Sequence, residues 1–185
     1  MFNAKRILIL GSGGSGKTSF SRKLAAKMQI PAIHLDTLYW EAGWKEPDKN
    51  QWQSRVAELV KQPTWVMDGN YSGTLNLRLP PAEWIIFLDI PNWLCVWNIF
   101  KRRIQYAKAG RDARPEMPPG CPETVNLRFL VWVWQYPRHS RPKVFQALEK
   151  WKTPEARVLI LNNYKAIDQF LMDLPEPENF DLLQP

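Results

Sequence analysis

Gly11-Ser12-Gly13-Gly14-Ser15-Gly16-Lys17-Thr18 is the stretch of this chain that decides its fold. Before it stands the short apolar run 6–10, which is typical of a buried parallel strand. After it comes the segment 18–28, where large apolar side chains recur every four positions, as in an amphipathic helix. A strand, a glycine-rich bend and a helix in this order predict the first β–α unit of a parallel α/β sheet.

The same eight residues satisfy the pattern G-x-x-x-x-G-K-[ST] at each fixed position. Glycines let the backbone wrap so that its N–H groups face phosphate oxygens, and the N-terminus of the next helix adds a favourable dipole. Lys17 offers a cation to the outer phosphates, and the Thr18 hydroxyl is a suitable ligand for Mg²⁺. We therefore predict that residues 11–18 bind ATP with Mg²⁺. The alternative is a glycine-rich turn with an incidental lysine, against which the flanking strand and helix argue.

The composition is that of one globular domain. Hydrophobic residues make up 45% and charged residues 23% of the 185 positions, which is enough to bury a core and too apolar for a disordered chain. No apolar run reaches the ~20 residues of a membrane span, and none resembles a signal peptide, so we expect a cytoplasmic protein without a membrane partner. Two cysteines cannot form a disulfide framework or a four-thiolate zinc site.

Four more strands are predicted, and they alternate with helices. The apolar runs that predict them are 31–35, 64–67, 84–88 and 157–161. This alternation favours a three-layer α/β/α fold around a five-stranded parallel sheet. We expect residues 1–174 to form this domain and residues 175–185, which are rich in proline and acidic residues, to form a flexible tail.

Two helix starts are marked by candidate N-caps, Asp48 and Asn92. The second would begin the predicted helix 93–104, which carries a pronounced apolar face. The members of that face are Trp93, Val96, Trp97, Phe100 and Ile104. Tryptophans are usually core or half-buried residues, and we expect the same here.

Nucleotide binding alone does not define a reaction. A GTPase would need an Asn-Lys-x-Asp motif to read its base, and the nearest match, Asn162-Asn163-Tyr164-Lys165, does not fit. The chain is also short for a motor or a large assembly ATPase. The residues therefore favour a small kinase.

Three further segments resemble a known family. They are His34-Leu-Asp-Thr-Leu-Tyr-Trp40, Asp68-Gly-Asn-Tyr-Ser-Gly73 and Pro137-Arg-His-Ser-Arg-Pro142. With the glycine loop they look like the bacterial DNA topology modulation protein family, a group related to adenylate kinases, over roughly residues 5–172. The resemblance implies a P-loop kinase-like fold with strand order 2-3-1-4-5 and a kinase activity. The family's name implies an effect on DNA topology.

Candidate residues follow the third predicted strand. The Asp68 carboxylate would hold Mg²⁺ directly or through water, or else cap the next turn. Gly69 would let the backbone pass close to phosphate or acceptor, and Asn70 would contact the acceptor or serve only in the turn. The resemblance to adenylate kinases implies that Arg78 binds an acceptor phosphate. However, Asp68-Gly-Asn-Tyr-Ser replaces the Asp-Gly-Phe-Pro-Arg of adenylate kinases, which argues against AMP as the acceptor.

Asp36 follows the second predicted strand, at the sheet edge where such folds bind ligands. It would accept or orient the proton of an attacking hydroxyl, or else serve as an N-cap or turn residue. His34 lies within the strand and is interpreted as a core histidine. The residues predicted to bind the acceptor are Asp36, Asp68, Gly69, Asn70 and Arg78.

Residues 107–122 have the composition of a mobile lid, with four prolines and two glycines. Arginines on a closing lid would neutralise the charge of a phosphoryl group in transit and expel water. If Pro137 begins a turn, Arg138 and Arg141 are spaced to share a helical face. The predicted catalytic residues are Lys17, Asp36, Arg111, Arg138 and Arg141, and the arginine pool also includes Arg102, Arg103 and Arg114. A solvated surface charge is the alternative for each arginine.

Asn163 follows the fifth predicted strand, where related kinases pack the adenine, so it is predicted to contact the base. A plain strand-to-helix turn is an equal alternative.

Two functions remain open from sequence. The first is an ATP- and Mg²⁺-dependent kinase whose partners are ATP and a small-molecule or nucleotide acceptor. The second, less favoured, is a nucleotide-controlled protein associated with DNA, which the formal charge of +7 and the mixture of arginine and tryptophan in residues 93–141 allow. DNA binding would weaken steeply with salt, whereas kinase turnover would respond mildly. The sequence predicts neither the acceptor nor the oligomeric state.

Overall fold

The sheet has five parallel strands. A computed structural model of the protein describes residues 4–108, 117–118, 120–122 and 126–175. The strands are β1 (Arg6–Gly11), β2 (Ala32–His34), β3 (Trp65–Asp68), β4 (Trp84–Leu88) and β5 (Arg157–Leu161). They lie in the order β2-β3-β1-β4-β5, and every neighbouring pair is parallel. This confirms the predicted α/β fold class and strand order.

Helices connect the strands. Within the described residues they are α1 (Lys17–Met28), α2 (Leu35–Tyr39), α3 (Lys49–Leu59), α4 (Leu75–Arg78), α5 (Asn92–Lys108), α6 (Leu127–His139), α7 (Arg141–Trp151) and α8 (Tyr164–Asp173). A 3₁₀ turn at Ser72–Thr74 precedes α4. None of these helices has both the length and the apolar character needed to cross a membrane.

Most predicted boundaries lie close to the observed ones. β4 and β5 have the predicted bounds. β2 is shorter than the predicted strand 31–35 because Leu35 begins α2. Asp48 caps α3 as predicted, since its carboxylate accepts hydrogen bonds from two backbone N–H groups of the first turn.

The core lies on both faces of the sheet because side chains alternate along each strand. In β1, Ile7 and Ile9 face one layer, where α1, α5 and α8 pack. Leu8 and Leu10 face the opposite layer, which α3, α4 and α7 cover. All four side chains are fully buried. The central strand is thus hydrophobic on both sides, as a parallel strand between two helical layers requires.

Helix α5 turns a different face to the core from the one its apolar pattern predicted. Cys95 and Ile99 are buried, whereas Trp93 is 59% exposed and Trp97 is 60% exposed. Phe100 and Ile104 are exposed as well. The expectation that these tryptophans are core or half-buried residues is therefore wrong.

Contacts with the glycine loop explain this orientation of α5. The side-chain amide of Asn98 donates to the carbonyl of Gly14 at 2.9 Å and to the hydroxyl of Tyr164 at 2.6 Å. The backbone of Cys95, on the same side of the helix, lies directly against Gly14. The inward face of α5 is thus determined by its contacts with the glycine loop and with the start of α8.

Candidate functional site

Three predicted parts of the site, together with Asp89, which the sequence did not single out, lie at one edge of the sheet. The glycine loop follows β1, Asp36 lies in α2 just after β2, Asp68 ends β3 and Asp89 follows β4. Because all strands are parallel, their carboxyl ends share this edge, where open α/β sheets bind ligands. The fold therefore positions the four segments before any side chain is considered.

The loop is enclosed so closely that a side chain on Gly14 would meet backbone and one on Gly13 would meet an aromatic ring. Gly14 has a φ of 76°, and a Cβ there would lie 2.2 Å from the carbonyl oxygen of Cys95. A Cβ on Gly13 would lie 2.6 Å from the ring of Phe129 on α6. Helices α5 and α6 thus support the loop from behind and hold its backbone in one conformation.

Replacing Gly14 with alanine is expected to lower the free energy of unfolding by about 2 kcal/mol or more, because the new methyl group meets backbone and φ is left-handed. The loop must shift to make room, so nucleotide affinity should also fall. Urea unfolding and calorimetric titration with an ATP analogue would measure both effects. Gly73→Ala is the matched control, since no atom lies within 4 Å of a Cβ there. A Gly14→Ala protein with wild-type stability and affinity would contradict the prediction.

Lys17 lies across the loop that it follows. Its ammonium donates hydrogen bonds to the carbonyls of Gly11 at 2.9 Å and Ser12 at 2.8 Å. Burial lowers the pKa of Lys17, and the negative charges of Asp36 and Asp68 oppose that shift. The cation is therefore held against the glycine loop, where it is influenced by the two carboxylates that the sequence singled out.

Two hydroxyl groups of the glycine loop are buried polar groups. The Oγ atoms of Ser12 and Ser15 are buried, and neither has a hydrogen-bond partner among the described residues. Buried polar groups are rarely left unpaired in folded proteins. These two unpaired hydroxyls lie in the loop that leads into the N-terminus of α1, and hydroxyl and backbone N–H groups are the donors that phosphate oxygens accept from.

Asp68 is the centre of a buried polar cluster. Its Oδ1 accepts a long hydrogen bond of 3.4 Å from the Thr18 hydroxyl, and its Oδ2 accepts one of 2.6 Å from the Ser21 hydroxyl. The Nδ1 atom of His34 lies 2.5 Å from the same Oδ2. A hydroxyl and a carboxylate oxygen are the hard oxygen ligands that Mg²⁺ prefers, so the residues present fit this ion.

Asp36 is paired with an aromatic hydroxyl. The Tyr71 hydroxyl donates a hydrogen bond of 2.8 Å to its Oδ1. Nearby, the side-chain oxygen of Asn70 accepts from the backbone N–H of Gly11 at 3.3 Å. The segment after β3 is therefore linked to Asp36 on one side and to the glycine loop on the other.

Aromatic rings surround the hydroxyl that binds Asp36. Tyr71 packs against Tyr39, with ring centroids 4.5 Å apart, and against Trp52, at 5.3 Å. Tyr39 also packs edge-on against Trp40. This cluster forms one wall beside Asp36 and joins α2 to α3.

Arg78, predicted to bind an acceptor phosphate, is fully buried. Its guanidinium donates to the backbone carbonyls of Gly69, Asn70 and Tyr71 and to the hydroxyl of Thr74, at 2.7–3.1 Å. Burial lowers the pKa of Arg78, but these acceptors keep the guanidinium in a polar environment. With four N–H groups used in this way, Arg78 holds the loop after β3, and its contact with an acceptor phosphate stays a prediction.

The predicted arginine pair is separated. Helix α6 continues through Pro137 and contains Arg138, whereas Arg141 begins α7. The expectation of a shared helical face is therefore wrong, because Pro137 lies inside a helix and does not begin one. Arg138 is exposed, while Arg141 binds both carboxylate oxygens of Asp89 at 2.9–3.1 Å.

Only part of the predicted lid is described. Cys121 is buried against the loop after α2, where its Sγ accepts from the backbone N–H of Trp44 and donates to the carbonyl of Glu41, both at 3.3 Å. The indole N–H of Trp44 donates to the carbonyl of Pro122. The end of the segment 107–122 thus packs against the loop after α2. Arg111 and Arg114 lie outside the described residues, as do residues 176–185 of the predicted tail.

Asn163 is the N-cap of α8. Its side-chain oxygen accepts from the backbone N–H of Ala166 at 2.8 Å, and its amide donates to the side chain of Asn162. This is the turn role that the sequence left open. The contact between Asn163 and a base stays a prediction.

Sequence reasoning missed several contacts in the site. Ser21 was not considered, although its position one turn after Thr18 on the same helix was a usable signal. His34 was interpreted as a core residue because a single histidine in a strand carries no sign of its partner. Asp89 was not recognised as the partner of Arg141, since 52 residues separate them.

Comparisons with known proteins find the fold but no family. No protein-family model matches the chain, and no curated protein matches its sequence. A shikimate kinase from Acinetobacter baumannii, solved in complex with shikimate, matches with a TM-score of 0.57 at 14% identity, over 91% of this chain and 89% of its own. A deoxyadenosine kinase from M. mycoides, solved with dCMP and dCDP, gives 0.52 at 13%, over 90% and 96%.

A shikimate kinase from Bacteroides thetaiotaomicron is a third similar structure, with a TM-score of 0.50 and 16% identity over 92% of this chain and 95% of its own. Identities this low show the fold alone. The strand order, the loop after β1 and these likenesses agree that the chain has the three-layer P-loop kinase fold.

Proposed function

We propose that the protein is an ATP- and Mg²⁺-dependent phosphotransferase that moves the γ-phosphoryl group to a small-molecule or nucleotide acceptor. The observation that carries this proposal is the meeting of three groups at one sheet edge. They are the Lys17 ammonium on its loop, the Thr18–Asp68 oxygen pair, and the Asp36 carboxylate. The kinase fold of the similar structures supports the same reaction class.

The glycine loop binds the polyphosphate in this mechanism. Backbone amides at the start of α1 and the hydroxyls of Ser12 and Ser15 bind phosphate oxygens, and Lys17 places a positive charge beside them. Thr18 and Asp68 would hold Mg²⁺, which when bound neutralises charge on the phosphate oxygens. Asn163 and the start of α8 are proposed to contact the base.

Asp36 acts on the acceptor. The acceptor's hydroxyl oxygen forms a bond to the γ-phosphorus, and the bond from that phosphorus to the β–γ bridging oxygen breaks, so ADP leaves with the electron pair. The hydroxyl proton passes to the Asp36 carboxylate, which the Tyr71 hydroxyl holds in place. Gly69 and Asn70 line the acceptor side through their backbone and amide groups.

Arginines complete the proposed site. Arg141, oriented by Asp89, and the exposed Arg138 are proposed to approach the transferred group, with Arg111 supplied by the lid segment. Arginine stabilises the transition state because its planar fork can contact two oxygens at once. The ion pair with Asp89 keeps the guanidinium of Arg141 near the carboxyl end of β4.

The three segments that resemble the DNA topology modulation protein family support the same assignment, since that group is related to adenylate kinases. A direct test incubates the protein with labelled ATP and Mg²⁺ and a panel of nucleosides, nucleoside monophosphates and small hydroxy acids such as shikimate. Labelled product from one acceptor class is expected. ATP turnover with no labelled product from any acceptor would count against the proposal.

Asp36→Asn is expected to keep ATP binding and to lower the transfer rate by about a hundredfold or more, because the amide cannot accept the hydroxyl proton. Calorimetric titration with an ATP analogue and a product assay separate the two quantities. Asp168→Asn, on the exposed face of α8, is the control for a lost negative charge. Equal transfer rates in wild type and Asp36→Asn would remove Asp36 from the mechanism.

A further inference from the structure

We propose that His34 and Ser21 are positioning residues for Asp68. Together they fix its carboxylate so that Oδ1 faces Thr18, the other residue proposed to hold Mg²⁺. This inference rests on the proposed function, in which Thr18 and Asp68 hold Mg²⁺. Neither His34 nor Ser21 is proposed to touch the nucleotide or the metal.

The fold brings the four side chains together from three elements. His34 ends β2 and pairs in register with Asp68 at the end of β3. Thr18 and Ser21 are three residues apart on α1, so both hydroxyls project from the helix face that packs on β3. Asp68 is 1% exposed and Ser21 is fully buried, so water competes little for these contacts.

The two carboxylate oxygens of Asp68 have different hydrogen-bond partners. Oδ2 receives two short contacts, 2.6 Å from the Ser21 hydroxyl and 2.5 Å from Nδ1 of His34. Within the described part of the chain, Oδ1 receives only the long hydrogen bond of 3.4 Å from Thr18. Since Oδ2 is occupied by protein donors, Oδ1 is the oxygen left with capacity for a further partner.

The orientation of a carboxylate decides which of its oxygens can bind a metal ion. A carboxylate on an unrestrained aspartate can bind a cation through either oxygen or both, and Mg²⁺ demands near-ideal octahedral geometry. Outer hydrogen bonds to a ligating group typically change metal affinity by about 10–100-fold when removed. Fixing Oδ2 therefore favours a single-oxygen contact from Oδ1.

The imidazole of His34 can be replaced by a side chain that keeps the relevant donor. A carboxylate oxygen accepts, so the proton shared with Asp68 stands on Nδ1. The amide nitrogen of asparagine occupies nearly the place of Nδ1, whereas the longer glutamine carries its amide at the place of Nε2. His34→Asn should thus keep the hydrogen bond, and His34→Gln should lose it.

The experiment titrates each protein with a non-hydrolysable ATP analogue by calorimetry, once with Mn²⁺ and once with the metal chelated. Wild type, His34→Asn, His34→Gln and Ser21→Ala are compared, and thermal unfolding is recorded for all four. We expect the metal-dependent gain in affinity to fall by about tenfold in His34→Gln and Ser21→Ala and to stay near wild type in His34→Asn. Affinity for the metal-free analogue should be unchanged throughout.

Two results would overturn the inference. One is a wild-type metal-dependent gain in both His34→Gln and Ser21→Ala, which would leave His34 a purely structural residue. The other is a His34→Asn protein whose metal-dependent gain in affinity is as small as that of His34→Gln.

If wild type itself binds no nucleotide, or if the metal does not raise its affinity, the proposed function fails, and the wild-type titration alone shows this. If His34→Gln fails to fold, Ser21→Ala still tests the inference, because it removes the other hydrogen bond to Oδ2 of Asp68.

Discussion

Replacing Lys17 with methionine is expected to lower phosphoryl transfer by at least about a hundredfold while the protein stays folded. Methionine keeps most of the length of the side chain and removes its charge. The ammonium lies against the Gly11 and Ser12 carbonyls, within the loop that binds the polyphosphate in our proposal. A charge placed there acts in a partly water-excluded site, where its effect on a developing anion is larger than in bulk water.

The test for Lys17→Met combines a product assay with calorimetric titration of an ATP analogue and a thermal unfolding curve. Lys23→Met, at an exposed position six residues further along the same helix, removes the same charge away from the loop and should resemble wild type. Burial lowers the pKa of Lys17, so losing this buried cation is not expected to unfold the protein. Unchanged transfer by Lys17→Met would reject the glycine loop as the phosphate-binding site.

Replacing Arg78 with methionine is expected to lower the free energy of unfolding by about 3–5 kcal/mol. The guanidinium satisfies three backbone carbonyls, at Gly69, Asn70 and Tyr71, inside the protein. Leaving a buried acceptor unpaired costs about 1–3 kcal/mol for each group, partly relieved when the loop rearranges. Urea unfolding followed by circular dichroism measures this difference.

Arg78→Lys should recover only part of this stability. An ammonium is a point donor and cannot reproduce a fork that reaches several carbonyls at once. Arg55→Met is the control, because Arg55 is exposed and, among the residues that the structure describes, donates one hydrogen bond, to the carbonyl of Leu38. It should contribute less than about 1 kcal/mol. A stability of Arg78→Met within 1 kcal/mol of wild type would contradict the role assigned to this arginine.

The sheet and the loop could be predicted because their signals are local. A glycine pattern between an apolar strand and an amphipathic helix specifies the β1–α1 unit, and Asp36 and Asp68 were found from their position after strands. What failed depended on contacts distant in sequence. The apolar pattern of α5 could not show that Asn98 and Cys95 would be drawn to the loop, leaving Trp97 at the surface.

Arginines show the same limit. Spacing predicted that Arg138 and Arg141 share a helical face if Pro137 begins a turn, but Pro137 lies inside α6, and Arg141 binds Asp89, which follows β4. The resemblance to adenylate kinases implies that Arg78 binds an acceptor phosphate, which stays a prediction. In the structure its N–H groups donate to three backbone carbonyls and to the Thr74 hydroxyl, none of which the sequence indicated. Charge and position indicate where an arginine lies, whereas its partner depends on which carbonyls and carboxylates the fold brings near.

Both cysteines are enclosed by the fold, and this makes the protein convenient for chemical labelling. Cys95 is fully buried in α5, and burial raises its pKa to about 11, so little reactive thiolate forms near neutral pH. Cys121 is equally inaccessible against the loop after α2. A single cysteine introduced on the exposed side of α3 or α8 would thus be the fastest to react with a maleimide, and a fluorophore or spin label could be attached there without first removing the native thiols.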